Sequence, residues 1–259
     1  MKIALCFFGI TRSLKYTIKS INERIINILN KNNVEYDIFL HTYYLNNYNN
    51  IRTRESKSDI DNDEYKLLKP KYVQIDNQDE KKKEINMEQY RTHKDPWNTN
   101  YNSVDNFILA QYSKLQIVKM IEKSENNYDY IIYLRPDVLY ISDINLIFFN
   151  KITDHVICIP DFHCFKNNFN DRFAITNKET YKIYGEIFND LLEVSKKKEL
   201  HSETIIGDKL QQQNISIYHI NFRFLRIRCD GRCEDHIFNN YYSEDVIKKK
   251  KNKLNFIST

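Results

Sequence analysis

The chain has 259 residues, of which 41% are hydrophobic and 29% charged, and its 39 basic side chains exceed its 35 acidic ones by only four charges. A dedicated nucleic-acid-binding protein usually has a larger and more clustered basic excess, whereas a small excess suits a protein that binds a small anion such as a nucleotide. The five cysteines form no paired CxxC motifs, which argues against a zinc site and fits a reducing compartment.

The first predicted elements alternate between strand and helix. Residues 3–8 form an unbroken apolar run that ends at Gly9, which predicts a strand buried on both faces. Apolar residues then recur at helical spacing over residues 14–29, and residues 36–42 predict a second strand. The polar stretch over residues 45–63 has no periodicity and predicts a surface loop.

The rest of the chain continues this alternation. A polar stretch over residues 78–101 predicts a second long loop, and Ser103 predicts the N-cap of a helix over residues 104–118. Residues 130–134 predict another strand buried on both faces. Further strands are predicted over residues 72–75, 155–159, 215–220 and 222–227, and further helices over residues 177–194 and 202–210.

Alternating strands and helices predict an α/β protein with a mainly parallel sheet flanked by helices. We expect a single domain over residues 1–240, followed by a basic C-terminal tail over residues 241–259. Ligands of such sheets bind beyond the carboxyl ends of the strands. This rule selects the loops at residues 9–13, 41–44 and 135–137.

The loop after the first predicted strand is a candidate anion site. Gly9 allows close backbone approach, Arg12 offers a guanidinium fork for phosphate, and a helix N-terminus follows. The loop contains neither GxGxxG nor GxxxxGK[ST], so neither a dinucleotide-binding fingerprint nor a P-loop is supported. The alternative is an ordinary turn between a strand and a helix.

The loop after residues 130–134 is a candidate cation or phosphate site. Asp137 follows the strand directly, and Pro136 stiffens the turn between it and Arg135. A carboxylate in this position can hold a divalent cation that bridges two phosphates. The alternative is an Arg–Asp ion pair, or an aspartate that only caps the turn.

Acidic residues later in the chain are candidates for a general base. Glu203 lies at the start of the predicted helix over residues 202–210, and we favour it as the base that deprotonates an acceptor hydroxyl. Asp171 is the second candidate. The alternative for Glu203 is that its charge only complements the helix dipole.

Taken in order over about residues 1–230, these segments resemble a family of GT-A-like glycosyltransferases found in bacterial polysaccharide clusters and in large DNA viruses. The segments that carry the resemblance are Gly9-x-x-Arg12-Ser13, Asp37-Ile38-Phe39-Leu40-His41-Thr42, residues 128–137 (YDYIIYLRPD), residues 170–174 (NDRFA), and Glu203 with Leu210.

The resemblance implies a GT-A-like, Rossmann-type fold. It also implies transfer of a hexosyl or related group from a nucleotide-diphosphate-sugar, with UDP expected, to a hydroxyl of a glycan or glycoconjugate. A divalent cation, Mn²⁺ or Mg²⁺, is expected on Asp137. The family's Asp-x-Asp signature has Arg135 at its first position here, so a guanidinium could replace the cation. We expect the donor to contact Phe8, Gly9, Thr11, Arg12, Ser13, His41, Arg135 and Asp137.

Other assignments remain open at this stage. A nucleotidyltransferase would release pyrophosphate rather than a nucleoside diphosphate, and a non-catalytic binding domain would bind the donor without turnover. The sequence does not decide between an inverting and a retaining mechanism. No apolar run approaches the ~18 residues of a membrane span, and the apolar start is too short for a signal sequence. We therefore expect a soluble cytoplasmic protein, in the host cytoplasm if the source is viral.

Overall fold

The computed structural model describes residues 1–57, 60–164 and 169–233. The predicted basic tail lies outside these residues. The strands are β1 (Lys2–Phe8), β2 (Glu35–Tyr44), β3 (Tyr48–Asn50), β4 (Glu55–Lys57), β5 (Tyr72–Asn77), β6 (Tyr130–Leu134), β7 (Val138–Tyr140), β8 (Val156–Pro160), β9 (Phe173–Asn177), β10 (Ser216–Ile220) and β11 (Phe224–Arg226).

The described residues form a seven-stranded main sheet in the order β10-β8-β9-β6-β1-β2-β5. All its strands run parallel except β9, which is antiparallel to both β6 and β8. The predicted α/β fold with a mainly parallel sheet is therefore confirmed. The predicted interior positions of β1 and β6 are also confirmed, because each strand has a neighbour on both sides.

The centre of the sheet is covered on both faces. In β1 the side chains of Ile3, Leu5 and Phe7 enter one apolar cluster, and those of Ala4, Cys6 and Phe8 enter the other. This alternation follows from the period of two in a strand, and burial on both faces explains why the run contains no polar residue.

The helices lie on both faces of the sheet. They are α1 (Leu14–Ile21), α2 (Asn27–Lys31), α3 (Gln78–Ile85), α4 (Asn102–Lys123), α5 (Tyr181–Gly185), α6 (Leu191–Ser195) and α7 (Ser202–Gln212). Helix α1 packs on one face of the sheet, and α4 packs against β1 and β2 on the other. No helix of the described ranges is both long and apolar enough to cross a membrane.

Several predicted boundaries differ from the structure. The predicted helix over residues 14–29 is interrupted by a π-helical segment, Asn22–Ile26, between α1 and α2. The predicted loop over residues 78–101 contains α3, which Asn77 caps by accepting hydrogen bonds from the N–H groups of Asp79 and Glu80. Ser103 is not the N-cap of α4, because the helix already begins at Asn102.

The region after residue 170 differs most. The predicted helix over residues 177–194 is preceded by the antiparallel strand β9 and divided into α5, a 3₁₀ turn over Ile187–Asp190, and α6. Because β9 is antiparallel and Phe173 pairs with Leu134, its first residue lies beside the last residue of β6. The loop before β9 therefore reaches the same edge of the sheet as the loop after β6.

Candidate active site

A cleft opens at the carboxyl edge of the parallel strands, with an empty volume of about 1040 Å³ including open solvent. The ends of β1, β2 and β6 contribute to its lining, together with the loop before β9. The residues of the predicted site that line the cleft are Phe8, Gly9, Arg12, Arg135, Asp137 and Asp171.

Two features of the turn at Gly9 require a glycine: its backbone conformation and the close approach of a neighbouring side chain. Its φ of +92° is a conformation that residues with a side chain rarely adopt. A Cβ at this position would also lie 2.9 Å from Nη1 of Arg135. The glycine thus lets the Arg135 guanidinium approach the end of β1.

Replacing Gly9 with alanine should disturb this turn. We expect a cost of about 1–3 kcal/mol for the strained backbone, and weaker binding of pyrophosphate because Arg135 is displaced. Isothermal titration with pyrophosphate and urea unfolding would measure the two effects. Gly231→Ala is the matched control, since its φ of +83° carries the same backbone strain next to Tyr16 rather than next to Arg135. Equal pyrophosphate binding by Gly9→Ala and the native chain would contradict this role.

His41 lies behind the cleft rather than in it. Its side chain is completely buried, with Nδ1 2.9 Å from Oγ of Ser113 and Nε2 3.1 Å from Oδ2 of Asp76. The same Ser113 oxygen accepts a hydrogen bond from the N–H of Gly9 at 2.9 Å. The structure therefore favours a positioning role for His41, in which it holds the Gly9 turn through Ser113.

Thr11 and Ser13, which the sequence analysis also assigned to the donor site, are buried at the base of the same loop. The Thr11 carbonyl accepts a hydrogen bond from the N–H of Leu14 at 2.9 Å, and Oγ of Ser13 donates to the carbonyl of Ile227 at 3.0 Å. These bonds fix the loop ahead of α1 and leave Arg12 as its charged member.

Asp137 is held between arginines. Its Oδ1 accepts a hydrogen bond from Nε of Arg135 at 2.9 Å, and its Oδ2 accepts one from Nη2 of Arg135 at 2.8 Å. Nη2 of Arg12 lies 3.3 Å from the same Oδ2. Burial would raise the pKa of Asp137, but Arg135 and then Arg12 outweigh it and hold that pKa well below its ordinary value.

Glu55 on β4 is a second buried carboxylate of this network, and it was not predicted from the sequence. Its Oε1 lies 3.3 Å from Nε of Arg12 and accepts a hydrogen bond from the N–H of Cys229 at 2.9 Å. Its Oε2 lies 3.3 Å from Nη1 of Arg228. Arg12 is thus placed by a carboxylate on either side, and its guanidinium also lies over the ring of Tyr48, 4.4 Å from the centroid.

These contacts do not fit a divalent cation on Asp137. Both of its oxygens already accept from guanidinium groups. No group of three or more histidine, cysteine, aspartate or glutamate side chains that could hold a metal occurs in the part of the chain that the structure describes. The predicted Mn²⁺ or Mg²⁺ site therefore lacks a matching set of ligands there, and the arrangement favours the alternative in which arginines supply the positive charge.

The two candidate bases differ in their electrostatics. Asp171 lies 3.1 Å from Nη1 of Arg172, and although burial opposes it, Arg172 and then Lys114 lower the pKa of Asp171. Burial, followed by the charge of Asp171, raises the pKa of Glu203 to about 7. Glu203 directly follows Ser202, which lines the cleft.

Lys114 on α4 is an unusual buried charge that sequence reasoning missed. Its side chain is fully buried, and its Nζ has no hydrogen-bond partner among the described residues. Nζ lies 4.0 Å from the centroid of the Tyr184 ring and 5.3 Å from that of Phe8. Burial lowers the pKa of Lys114 to about 7, so its charged and neutral forms coexist near neutral pH.

Arginine is the most prominent residue type of the cleft. Among the residues that the structure describes, six arginines line it against two carboxylates, Asp137 and Asp171. Only two of these arginines were predicted as site residues, because the others come from a polar loop, from the loop before β9 and from the region of β11 at the end of the described chain. The lining arginines are Arg12, Arg52, Arg135, Arg172, Arg226 and Arg228.

A sequence model of a protein family described as a domain of unknown function, DUF7796, matches residues 1–230. No curated protein sequence shows a significant match. Among solved structures, the galactosyltransferase LgtC in complex with donor and acceptor sugar analogues has 13% identity and a TM-score of 0.46, covering 84% of this chain and 73% of that chain.

Mouse xyloside xylosyltransferase 1 has 12% identity and a TM-score of 0.42, covering 85% of this chain and 84% of that chain. A glycosyltransferase involved in glycosylation of the major capsid of PBCV-1 has 8% identity and a TM-score of 0.41, covering 84% of this chain and 80% of that chain. Similarity at this level assigns no activity, so the activity has to be inferred from the cleft itself.

Proposed function

Since the chain belongs to the DUF7796 family, a domain of unknown function, we propose its activity from the cleft: the protein transfers a sugar from a nucleoside-diphosphate donor to a hydroxyl group of a glycan or glycoconjugate. In this reaction the bond between the anomeric carbon and an oxygen of the β-phosphate breaks, which releases the nucleoside diphosphate. The anomeric carbon bonds to the acceptor oxygen, and the acceptor's proton passes to a general base.

The observation that carries the proposal is the convergence of Arg12 and Arg135 on Asp137 next to the Gly9 turn. A diphosphate leaving group needs positive charge that is already in place, and a buried guanidinium provides it together with directed hydrogen-bond donors. Because Asp137 and Glu55 fix these guanidiniums, they need not reorganise when the leaving group gains charge.

A buried amide in the same cleft supports a nucleotide as ligand. Gln111 is only 1% exposed and lines the cleft, yet its Oε1 has no hydrogen-bond partner in the described ranges. A buried acceptor without a partner is costly, so a donor group of the ligand would stabilise it. The N–H of a base such as uracil, or a ribose hydroxyl, has the required chemistry, and UDP is therefore the first nucleotide to test.

We assign the general base to Glu203 rather than Asp171. A base works best when its pKa lies near the working pH, and the pKa of about 7 for Glu203 meets this condition. The lowered pKa of Asp171 makes it a weaker general base. Its ion pair with Arg172 suits Asp171 to orient either the sugar or the side chain of Glu203.

Turnover should therefore depend on the ionisation of Glu203. Because the base acts when deprotonated, we expect kcat/KM to rise with pH through about 7, the folded pKa of Glu203. Glu203→Gln should lower kcat by about 100- to 10,000-fold and remove this limb of the profile. The control is Glu199→Gln, an exposed glutamate four residues earlier. A profile that keeps its limb in Glu203→Gln would transfer the role to another group.

The proposed function is tested by screening nucleotide sugars for a raised melting temperature and then following their products. Release of a nucleoside diphosphate with transfer of the sugar to an added glycan supports it. Release of pyrophosphate would instead identify a nucleotidyltransferase, and binding without any turnover would identify a binding domain.

A further inference from the structure

Arg52 belongs to a layered stack of side chains at the outer part of the cleft. Its guanidinium lies 5.7 Å from the centroid of the Trp97 ring, and that ring stacks on His201 with a centroid distance of 5.2 Å and an interplanar angle of 26°. Arg52 and Trp97 both line the cleft. Contact with an aromatic face lets a guanidinium keep a fixed position without a carboxylate partner.

The loop that carries Trp97 is held firmly. Oδ1 of Asp95 accepts a hydrogen bond from the N–H of Trp97 at 3.0 Å, and Oδ2 accepts one from the N–H of Tyr101 at 3.0 Å and one from the hydroxyl of Thr99 at 3.0 Å. Left-handed backbone at Asn98, with a φ of 51°, and at Tyr101, with a φ of 62°, persists only because these bonds determine the loop. The stack beneath Arg52 is therefore built on a rigid support.

The positive charge of Arg52 is compensated differently from that of three other cleft arginines. Arg12, Arg135 and Arg172 each have a carboxylate oxygen within 4.0 Å. Within the described residues Arg52 has no such ion pair. Although Arg52 is an exposed residue, its partial burial and then the charge of Arg172 lower its pKa and outweigh three nearby carboxylates. An anionic group of a ligand would supply the negative charge that Arg52 lacks.

The position of Arg52 indicates that this anionic group belongs to the acceptor sugar rather than to the diphosphate of the donor. The proposed function places the diphosphate at Arg12 and Arg135, beside the Gly9 turn. Arg52 instead reaches, through Trp97, the residue His201, which lies two positions before the proposed base Glu203. A group that contacts Arg52 is therefore on the side of the cleft where the acceptor hydroxyl is deprotonated.

We propose that Arg52, held by Trp97 and His201, binds an anionic group of the acceptor, a carboxylate or a phosphate, so that the acceptor is an acidic sugar. The inference rests on the proposed function for its assignment to the acceptor. The charged hydrogen bonds that it invokes are those between a guanidinium fork and a planar carboxylate or a phosphate.

The test is a binding experiment, which keeps it separate from turnover. The full chain is titrated with methyl β-D-glucuronide, glucose 6-phosphate and neutral methyl β-D-glucoside, with and without saturating pyrophosphate. The native protein should bind at least one of the charged sugars about tenfold or more tightly than the neutral one, and which of the two it is distinguishes a carboxylate from a phosphate. Arg52→Gln should abolish this preference and leave pyrophosphate binding unchanged.

Two further variants make the result specific. Arg54→Gln is the matched control, because Arg54 is exposed like Arg52 but is not among the cleft-lining residues. Trp97→Leu retains the guanidinium but removes its support, and should reduce the preference for the charged sugar. Equal binding of charged and neutral sugars, no binding of either charged sugar at about 50 mM, or an unchanged preference in Arg52→Gln would each overturn the inference. Failure of pyrophosphate to bind at all would instead count against the proposed function.

Discussion

Replacing Arg135 with alanine should abolish sugar transfer, whereas the native chain should remain active in EDTA. The guanidinium of Arg135 is held by two hydrogen bonds to Asp137 at the end of β6 and lies beside the Gly9 turn. Loss of one such preorganised donor lowers kcat by about 100- to 1,000-fold. Steady-state release of the nucleoside diphosphate, measured with EDTA and with added Mn²⁺, would establish both effects.

Arg24→Ala is the appropriate control, since Arg24 forms an exposed ion pair with Asp143 and neither residue lines the cleft. It should retain full turnover, because exposed pairs of this kind contribute little. The opposite result would be loss of native activity in EDTA with recovery on adding Mn²⁺. That result would show that a cation on Asp137 supplies the charge and that Arg135 only orients this carboxylate.

Replacing Asp137 with asparagine should destabilise the whole domain as well as inactivate it. If Asp137 served only as a cation ligand, as the resemblance implies, the fold would survive this change. The structure shows instead that the carboxylate is 6% exposed and compensates the buried charges of Arg135 and Arg12. Removing one partner of a buried ion pair costs about 3–5 kcal/mol, and we expect the midpoint of urea unfolding to fall accordingly.

Asp143→Asn is the control for this substitution, because it removes the carboxylate of an exposed ion pair. Its effect should stay within about 0.5 kcal/mol. The contribution of Asp137 should also depend on pH in one direction. Since its pKa is depressed in the folded state, the stabilisation is present above the unfolded value of about 3.9 and is lost as the pH falls below it. An unchanged unfolding midpoint for Asp137→Asn would show that the arginines relax into solvent.

The buried strands could be predicted from the sequence because their environment is simple. Strands β1 and β6 are covered on both faces, so the runs over residues 3–8 and 130–134 are apolar throughout and stand out. Strand β9 was not predicted, because its last two residues, Thr176 and Asn177, are polar and its direction is set by pairing with β6 rather than by its own sequence.

The same distinction applies to the site. Gly9, Arg12, Arg135 and Asp137 were found because they directly follow predicted strands, and parallel strands bring their carboxyl ends together. Glu55 could not be found in this way. It lies in a polar stretch that reads as a surface loop, and it is buried only because Arg12 and Arg228 surround it.

His41 shows that a polar residue near a strand end need not belong to the ligand site. It lies near the end of the predicted strand over residues 36–42, yet β2 continues to Tyr44, and the His41 ring is turned into the interior, where Ser113 and Asp76 satisfy it. The sequence identifies a polar residue at a strand end, but which way the ring turns depends on α4 and β5, which are distant in the chain.

The bonds that join Glu55 to Cys229 and Ser13 to Ile227 connect residues 174 and 214 positions apart. Contacts of such separation close large loops, so we expect them to form late in folding, after the local helices and the β1–β2 pairing. During synthesis, Arg12 therefore emerges long before Arg228 and Cys229, which share its Glu55 partner. The molecule should acquire its sheet first and its binding competence last, so that nascent or proteolytically shortened chains retain strands but not ligand affinity.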